Sequence, residues 1–310
     1  MQTIKGRFTD IDIYNETVKN WDLNFKLLSK GDFSSNMHMI YDTDFSVVRE
    51  RLTGKLEQKG NTQKGLIVFG IPVNNTSFYW FDKKVTCSDL LIFPKENNFE
   101  VISDSNFEVY VVSINEKILF DTMKKEGIKK YVKKFDGKAQ ELFLSKEFSK
   151  RFTNLLDYYL NTNLNNKKKN KALINSIIIS LIEYLDSAKK QNLSLQKNKK
   201  DFALIKAIEL INNQVNQLFS ITQLCALVGV SERTLLSAFK EKYQVSPSEY
   251  IKAYRLNKVK QEIFNSKDKS ISKIAGKYHF WHMGQFAKDF KKQFGVLPSE
   301  AKKKRWNNNL

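Results

Sequence analysis

Hydrophobic positions along this chain follow two different periods. Between about Phe33 and Ile114 they come in short runs rich in β-branched and aromatic residues, LIVFGIPV (66–73), SFYWFD (77–82), LLIFP (90–94) and FEVYVVSI (107–114), separated by Asn, Gly, Pro and Asp. Runs of this length bounded by turn residues predict the strands of a β-sandwich or small barrel, and a jelly-roll-like module is the expectation. After Asn115 the spacing turns helical: Phe148, Phe152, Leu155, Leu156 and Tyr159 recur at three and four residues and mark a helix over about 145–160. A second helix over about 171–186 carries Leu173, Ile174, Ile177, Ile178, Leu181, Ile182 and Leu185, a stripe too wide for one thin contact. The pair either covers the sheet or forms a homodimer interface, and both readings stay open.

The next stretch, SAKKQNLSLQKNKK (187–200), has five lysines, no acid and no apolar cluster, and predicts a linker. The organisation is therefore a β-rich domain over 1–186 ending in two helices, a Lys-rich linker over 187–200, and a helical domain over 201–310. The fold class is α+β.

The helical domain repeats itself. SITQLCALVGVSERTLLSAFKEKYQVSPSE (220–249) and SISKIAGKYHFWHMGQFAKDFKKQFGVLPSE (270–300) both open on Ser-Ile and close on Pro-Ser-Glu, and Phe239 and Phe290 each stand eight residues before the proline of that closing motif. Each copy reads as helix, tight turn, helix. In the first, Ile221, Leu224, Cys225 and Val228 form one buried face behind the N-cap candidate Ser220, and Gly229 supplies the left-handed residue that the turn needs. Ser231 caps the next helix, with Thr234 where a capping-box Glu would stand, so the box is incomplete. Leu235, Ala238 and Phe239 then face inward.

At 100° per residue the opposite face of that helix carries Arg233, Ser237 and Lys240, with Glu232 at its start. A helix fits the B-DNA major groove, where Arg pairs with guanine, Gln with adenine and Ser with several bases. Arg233 and Ser237 are the expected base readers, Glu232 a further one, and Lys240 a phosphate contact. In the second copy Phe286 and Phe290 define the core side, leaving Gly284, Lys288 and Lys291 outward and Gln285 at the edge. His282 and Met283 lie at the helix start, where reach into a groove is greatest. Lys273, Lys277, Lys291 and Lys292 are the expected phosphate contacts. Between the copies, Tyr250, Ile251, Tyr254, Leu256, Val259 and Ile263 trace a long connecting helix ending near Asn265. Double-stranded DNA is the expected partner, read at two segments about 10 bp apart.

Charge agrees with that placement. The chain carries 52 basic against 33 acidic residues, a formal charge of +19, and residues 201–310 hold 19 basic against 9 acidic side chains. An excess of Lys, Asn and Ile is also what an AT-rich genome writes into any protein, so location rather than total decides. Such charge also suits an architectural DNA-binding protein with little sequence preference; two specific reading helices and a large separate domain favour regulation. Cys87 and Cys225 are too few and too far apart for a disulfide framework or thiolate metal site. The opening MQTIKGRFTD has no signal core, and the most apolar run, 172–185, contains Asn175, Ser176, Ser180 and Glu183. A cytoplasmic protein without a membrane partner is expected. His38 is the single histidine of the N-terminal half, so a metal-dependent catalytic site is not expected there, and no phosphate-cradling glycine loop or Ser-His-Asp set is present. No catalytic residue, cofactor or metal is expected.

The stretches LCALVGVSERTLLSAFKEKYQVSPSEYIKAYRLNKVKQEI and IAGKYHFWHMGQFAKDFKKQFGVLPSE resemble the C-terminal domain of the AraC/XylS family of bacterial transcription regulators, over about 100 residues and closest to its XylS-like branch. The resemblance implies a seven-helix domain, DNA binding by both units, and activation of a nearby promoter through RNA polymerase. It departs at His279, where the family has Gly before the Phe of the second unit; the turn there should be strained or differently shaped. The N-terminal half is similar to the cupin-like sensor domains of the same family, which implies a small-molecule effector or dimerisation. Trp21, Phe69, Phe78, Tyr79, Trp80 and Phe93 are candidates to line an effector pocket.

Overall fold

The computed structural model describes the chain apart from residues 74–77, 82, 86–88, 129–139, 144, 163–165, 188–198, 214–218, 267 and 308–310. Cys87 and most of the expected linker therefore lie outside the described residues. The N-terminal half contains strands β1 (Gln2–Phe8), β2 (Leu23–Leu27), β3 (Ser34–Tyr41), β4 (Phe45–Thr53), β5 (Leu56–Asn61), β6 (Leu66–Val73), β7 (Phe78–Trp80), β8 (Lys83–Val85), β9 (Asp89–Ile92), β10 (Asn98–Ser103), β11 (Phe107–Asn115) and β12 (Gln140–Phe143). Helices α1 (Ile11–Val18), α2 (Glu116–Lys125), α3 (Lys146–Leu160) and α4 (Lys167–Ser187) accompany them. The C-terminal domain is helical: α5 (Lys199–Asn213), α6 (Ile221–Val228), α7 (Glu232–Lys242), α8 (Pro247–Asn265), α9 (Ile271–Lys277), α10 (Met283–Phe294) and α11 (Pro298–Asn307). The expected α+β class and the change from strand to helix along the chain are both present.

The strands form two antiparallel sheets, one in the order β1-β3-β4-β11-β6-β9-β12 and one in the order β2-β5-β10-β7-β8. Successive side chains of a strand point to opposite faces, and the larger sheet is buried on both. Val47, Ile67, Phe69, Ile71, Tyr110, Val112 and Ile114 face the helical side, while Leu52, Phe107 and Val109 face the second sheet. This double burial explains the near-continuous apolar runs of β6 and β11, which alternation alone does not produce. Three strands fell outside the sequence expectation, β1, β2 (Leu23–Leu27) and β12. β1 lies well before Phe33 and is an edge strand whose exposed positions blur its period, and β12 returns to the larger sheet after the chain has turned helical.

Ile177, Ile178, Leu181, Ile182 and Leu185 of α4 share one core with the larger sheet and with Phe152, Leu156 and Tyr159 of α3. Of the two readings left open for that stripe, covering the sheet is the one this packing fits, since burying it a second time between protomers would require removing it from the sheet.

In the C-terminal domain local chemistry sets the helix ends. Ser220 caps α6 and Ser246 caps α8, each through a complete capping box with Gln223 and Glu249, and Pro247 occupies the first turn of α8. Ser231 caps α7 at the Thr234 amide, a contact that contributes about 1 kcal/mol. Helix α8 belongs to two cores: Tyr250, Ile251 and Tyr254 pack with α6 and α7, and Leu256, Val259 and Ile263 pack with α9 and α10. No helix among the described residues is long and apolar enough to cross a membrane.

Candidate nucleic-acid interface

Leu235, Ala238 and Phe239 bury the inner face of α7, and Glu232, Arg233, Ser237 and Lys240 are all exposed on the other. The Glu232 carboxylate accepts a bond from the Thr222 hydroxyl at 2.8 Å, which braces α7 against α6. Lys240 lies 4.0 Å from Glu249. On α10, Phe286, Phe290 and Gln293 are buried, while His282, Met283, Gly284, Gln285, Lys288, Lys291 and Lys292 are exposed. His282 stands at the N-cap position without a side-chain capping bond.

Lys273 is exposed on α9. Lys277, also exposed, donates to Glu262 at 2.6 Å, and Glu262 further accepts from Lys269 and Tyr278. Burial pushes the Glu262 carboxyl up, but these three bonds outweigh it and hold the group down at about 2. Lys277 therefore reaches a phosphate only by leaving or sharing this carboxylate. Two exposed side chains on the same surface escaped the sequence reading. Trp281, 67% exposed, directly precedes α10, and Leu236, 44% exposed, lies beside Arg233 and Ser237. The signal for Trp281 was its place in the turn between paired helices.

The two turns are built alike. Gly229 ends α6 at φ +73°, and the Gly229 and Val230 amides both donate to the Cys225 carbonyl. His279 follows α9 at φ +66°, and the Phe280 amide donates to the Ala275 carbonyl. The left-handed residue expected from the Gly-to-His departure is present, and His279 fills the conformational role that Gly229 fills in the first unit.

Not every lysine of this domain faces solvent. Lys242 and Lys260 are buried, and both pair with acids of the N-terminal domain, Lys242 with Glu100 and Lys260 with Asp10 and Asp12. Asn257 of α8 bonds the Leu27 backbone at both its amide and its carbonyl, and Gln293 of α10 donates to the Leu27 and Ser29 carbonyls at 2.7 and 2.9 Å. Tyr250 donates to Glu57 at 2.9 Å. The connector and α10 thus also dock the helical domain onto the sandwich.

The sandwich encloses a cavity of about 100 Å³. Of the six aromatic candidates only Trp21 and Phe93 line it. Phe69 is in the core under the helices, Phe78 and Trp80 are in the core between the sheets, and Tyr79 packs against α5–α8. The strand alternation that sorts them depends on register, which composition does not reveal. On β5 and β10 the same alternation sets Gln58 and Phe99 in the cavity wall, while the adjacent Glu57 and Glu100 bind the helical domain. Among the described residues no group of His, Cys, Asp and Glu is placed to hold a metal ion.

A family profile described as "Helix-turn-helix domain" matches residues 224–304. The chain is 30% identical over 96 residues to the probable thc operon regulatory protein of Rhodococcus erythropolis, an alignment covering 30% of this chain and 29% of that protein. It is 31% identical over 98 residues to XylDLEGF operon transcriptional activator 2 of Pseudomonas putida, covering 31% of this chain and 62% of the relative. The chain thus spans less than two thirds of the length of these curated relatives. Among solved structures, the AraC-like transcriptional activator CuxR aligns over 82% of this chain and 94% of its own at 8% identity, with a TM-score of 0.44. The matched segment contains most of both helix-turn-helix units and the shared connector, and over that segment this chain is similar to these operon regulators.

Proposed function

We propose that the protein is a sequence-specific DNA-binding transcription regulator, of the activator kind, that reads two adjacent major-groove segments with α7 and α10. The observation that carries this reading is the pair of exposed faces, Arg233 and Ser237 on α7 and His282, Met283, Gln285 and Lys288 on α10, held by one connector that belongs to both cores. Glu232 and Lys240 flank the first face. Lys273, Lys291 and Lys292 supply phosphate neutralisation, and Lys277 joins them when it leaves Glu262. Both P. putida and R. erythropolis relatives are named as operon regulators, which supports promoter activation through RNA polymerase as the output and the cytoplasm as its place.

The N-terminal sandwich is the effector-responsive part. Its cavity is separated from the helical domain by a single sheet, and neighbouring residues of β5 and β10 serve the two sides. Self-association, where it occurs, uses the outer faces of α3 and α4 rather than their buried stripe.

The test is genome-wide mapping of sites bound by the native protein, followed by footprinting against excess random DNA. A recurring site with two protected segments about one helical turn apart is expected. Diffuse binding at all salt concentrations overturns the reading in favour of an architectural DNA-binding protein. For the effector, a thermal-shift screen over a broad metabolite panel should yield at least one stabilising compound, and a blank screen leaves the sandwich with a structural role.

A further inference from the structure

The cavity wall holds a carboxyl group that DNA binding does not use. Glu50 of β4 lines the cavity and is only 6% exposed. The Tyr14 hydroxyl of α1 and the Ser35 hydroxyl of β3 both donate to its Oε1, Ser35 at 3.2 Å. Its Oε2 accepts no hydrogen bond from a described residue.

Asp12 has Lys260, Glu57 has Lys26 and Lys59, and Glu108 has Arg49 and Arg51. Glu50 alone of these four has no cation among the described residues. A desolvated carboxylate without a counter-charge is costly, so such groups either stay protonated or gain a cation. Burial indeed pushes the Glu50 carboxyl up to about 7, against the smaller opposing effect of its bonds from Tyr14 and Ser35. Around it the wall is apolar, formed by Trp21, Met37, Met39, Val68, Phe93 and Phe99, with Asn61, Thr62 and Gln63 also contributing. A volume of about 100 Å³ has room for roughly seven to ten water-sized groups, enough for a small organic molecule and too little for a long chain.

We propose that this cavity binds a small organic cation, a primary or secondary amine on an apolar body, with its ammonium donating to Glu50 Oε2 and its body among Trp21, Met37, Phe93 and Phe99. The assignment rests on the effector reading above and adds the ligand class to it. An apolar wall selects the body, and the carboxyl without a cation selects the charge. A carboxylic acid of the same shape meets like charge, and an alcohol leaves the carboxyl without its counter-ion.

Calorimetric titration of the full chain with 2-phenylethylamine, 2-phenylethanol and 3-phenylpropanoate separates these chemistries on one skeleton. The amine is expected to bind at least tenfold tighter than the other two, and Glu50→Gln to remove that preference. Near pH 7 the amine should also drive a proton off Glu50, so its apparent heat varies with the ionisation heat of the buffer. That readout uses the unaltered protein and holds even where Glu50→Gln folds poorly. Tighter binding of the alcohol or the acid overturns the amine assignment and leaves the effector reading standing. Amine binding that Glu50→Gln does not weaken, or that exchanges no proton, overturns it as well. Failure of all three probes to bind also overturns the assignment, and the effector reading is then decided by the metabolite screen.

Discussion

Lys260 and Asp12 form a buried ion pair between the connector α8 and the first helix of the sandwich, with side chains 5% and 11% exposed. Asp10 completes the contact at 2.9 Å. The connector that joins the two helix-turn-helix units is thereby fixed to the opposite domain by groups that cannot be rehydrated without separating the domains.

Removing one member of this set leaves a buried charge unpaired. Lys260→Ala should therefore cost about 3 to 5 kcal/mol in urea unfolding, and the combined Lys260→Met, Asp12→Leu exchange much less than the sum of its single changes. A loss below about 1 kcal/mol, the range of exposed pairs, would show that the contact opens in solution.

Acid should loosen the same interface. Burial raises the Asp10 carboxyl, but Lys260 and the amides of Asp12 and Ile13 hold it below its ordinary 3.8, and Lys26 and Lys59 likewise outweigh burial to hold Glu57 below 4.5. Each depressed carboxyl contributes stability that is present above its unfolded value and lost as pH falls through the folded one. Scattering measurements should find the domains separating progressively as pH falls from about 4 toward 2.

Glu50 acts with the opposite sign. Its folded value of about 7 exceeds the ordinary 4.5, so the folded state binds more protons between those limits and stability falls as pH rises from 4.5 to 7. Urea unfolding at pH 5 and pH 7 should differ by about 2 kcal/mol from this group, and Glu50→Gln should flatten the difference. An unchanged pH slope in that variant would contradict the burial of an unpaired carboxyl.

On the DNA side, Arg233→Ala should relax preference at one base position and weaken the specific complex by about 1 to 3 kcal/mol. Selection from random sequences by both proteins checks this, and identical consensus sites would remove Arg233 from the readers.

Lys291→Ala with Lys292→Ala should weaken specific and non-specific DNA to the same degree. The slope of log affinity against log salt should fall by about 2. A loss confined to one sequence would assign these lysines to bases instead of phosphates.

His279 occupies left-handed backbone at φ +66°. A β-branched residue tolerates that region worst and glycine best, so His279→Val should cost about 1 to 2 kcal/mol of stability and His279→Gly should not. Thermal unfolding of the two variants decides it, and equal losses would show that the His279 ring contributes more than its backbone costs.

The tandem helix-turn-helix units are legible in the chain alone. Their signals are local: Ser220 and Ser231 at helix starts, Gly229 at the turn, and apolar residues three and four apart, all of which act within one or two turns of chain. Exposure of Arg233, Ser237, Gln285 and Lys288 followed from helical geometry alone. What depends on distant partners is settled only by packing. Lys242 and Lys260 look in sequence like any other basic residues of a DNA-binding domain, and only the acids brought to them by the sandwich bury them. Trp21 and Phe93 reach the cavity while Phe69, Phe78, Tyr79 and Trp80 do not, because a strand's period states that neighbours face opposite ways but not which face meets the cavity, the core or the other domain. β12 joins its sheet, and Glu50 stands without a cation, for the same reason: pairing and counter-charge are relations between residues far apart in the chain, fixed only when the whole chain has packed.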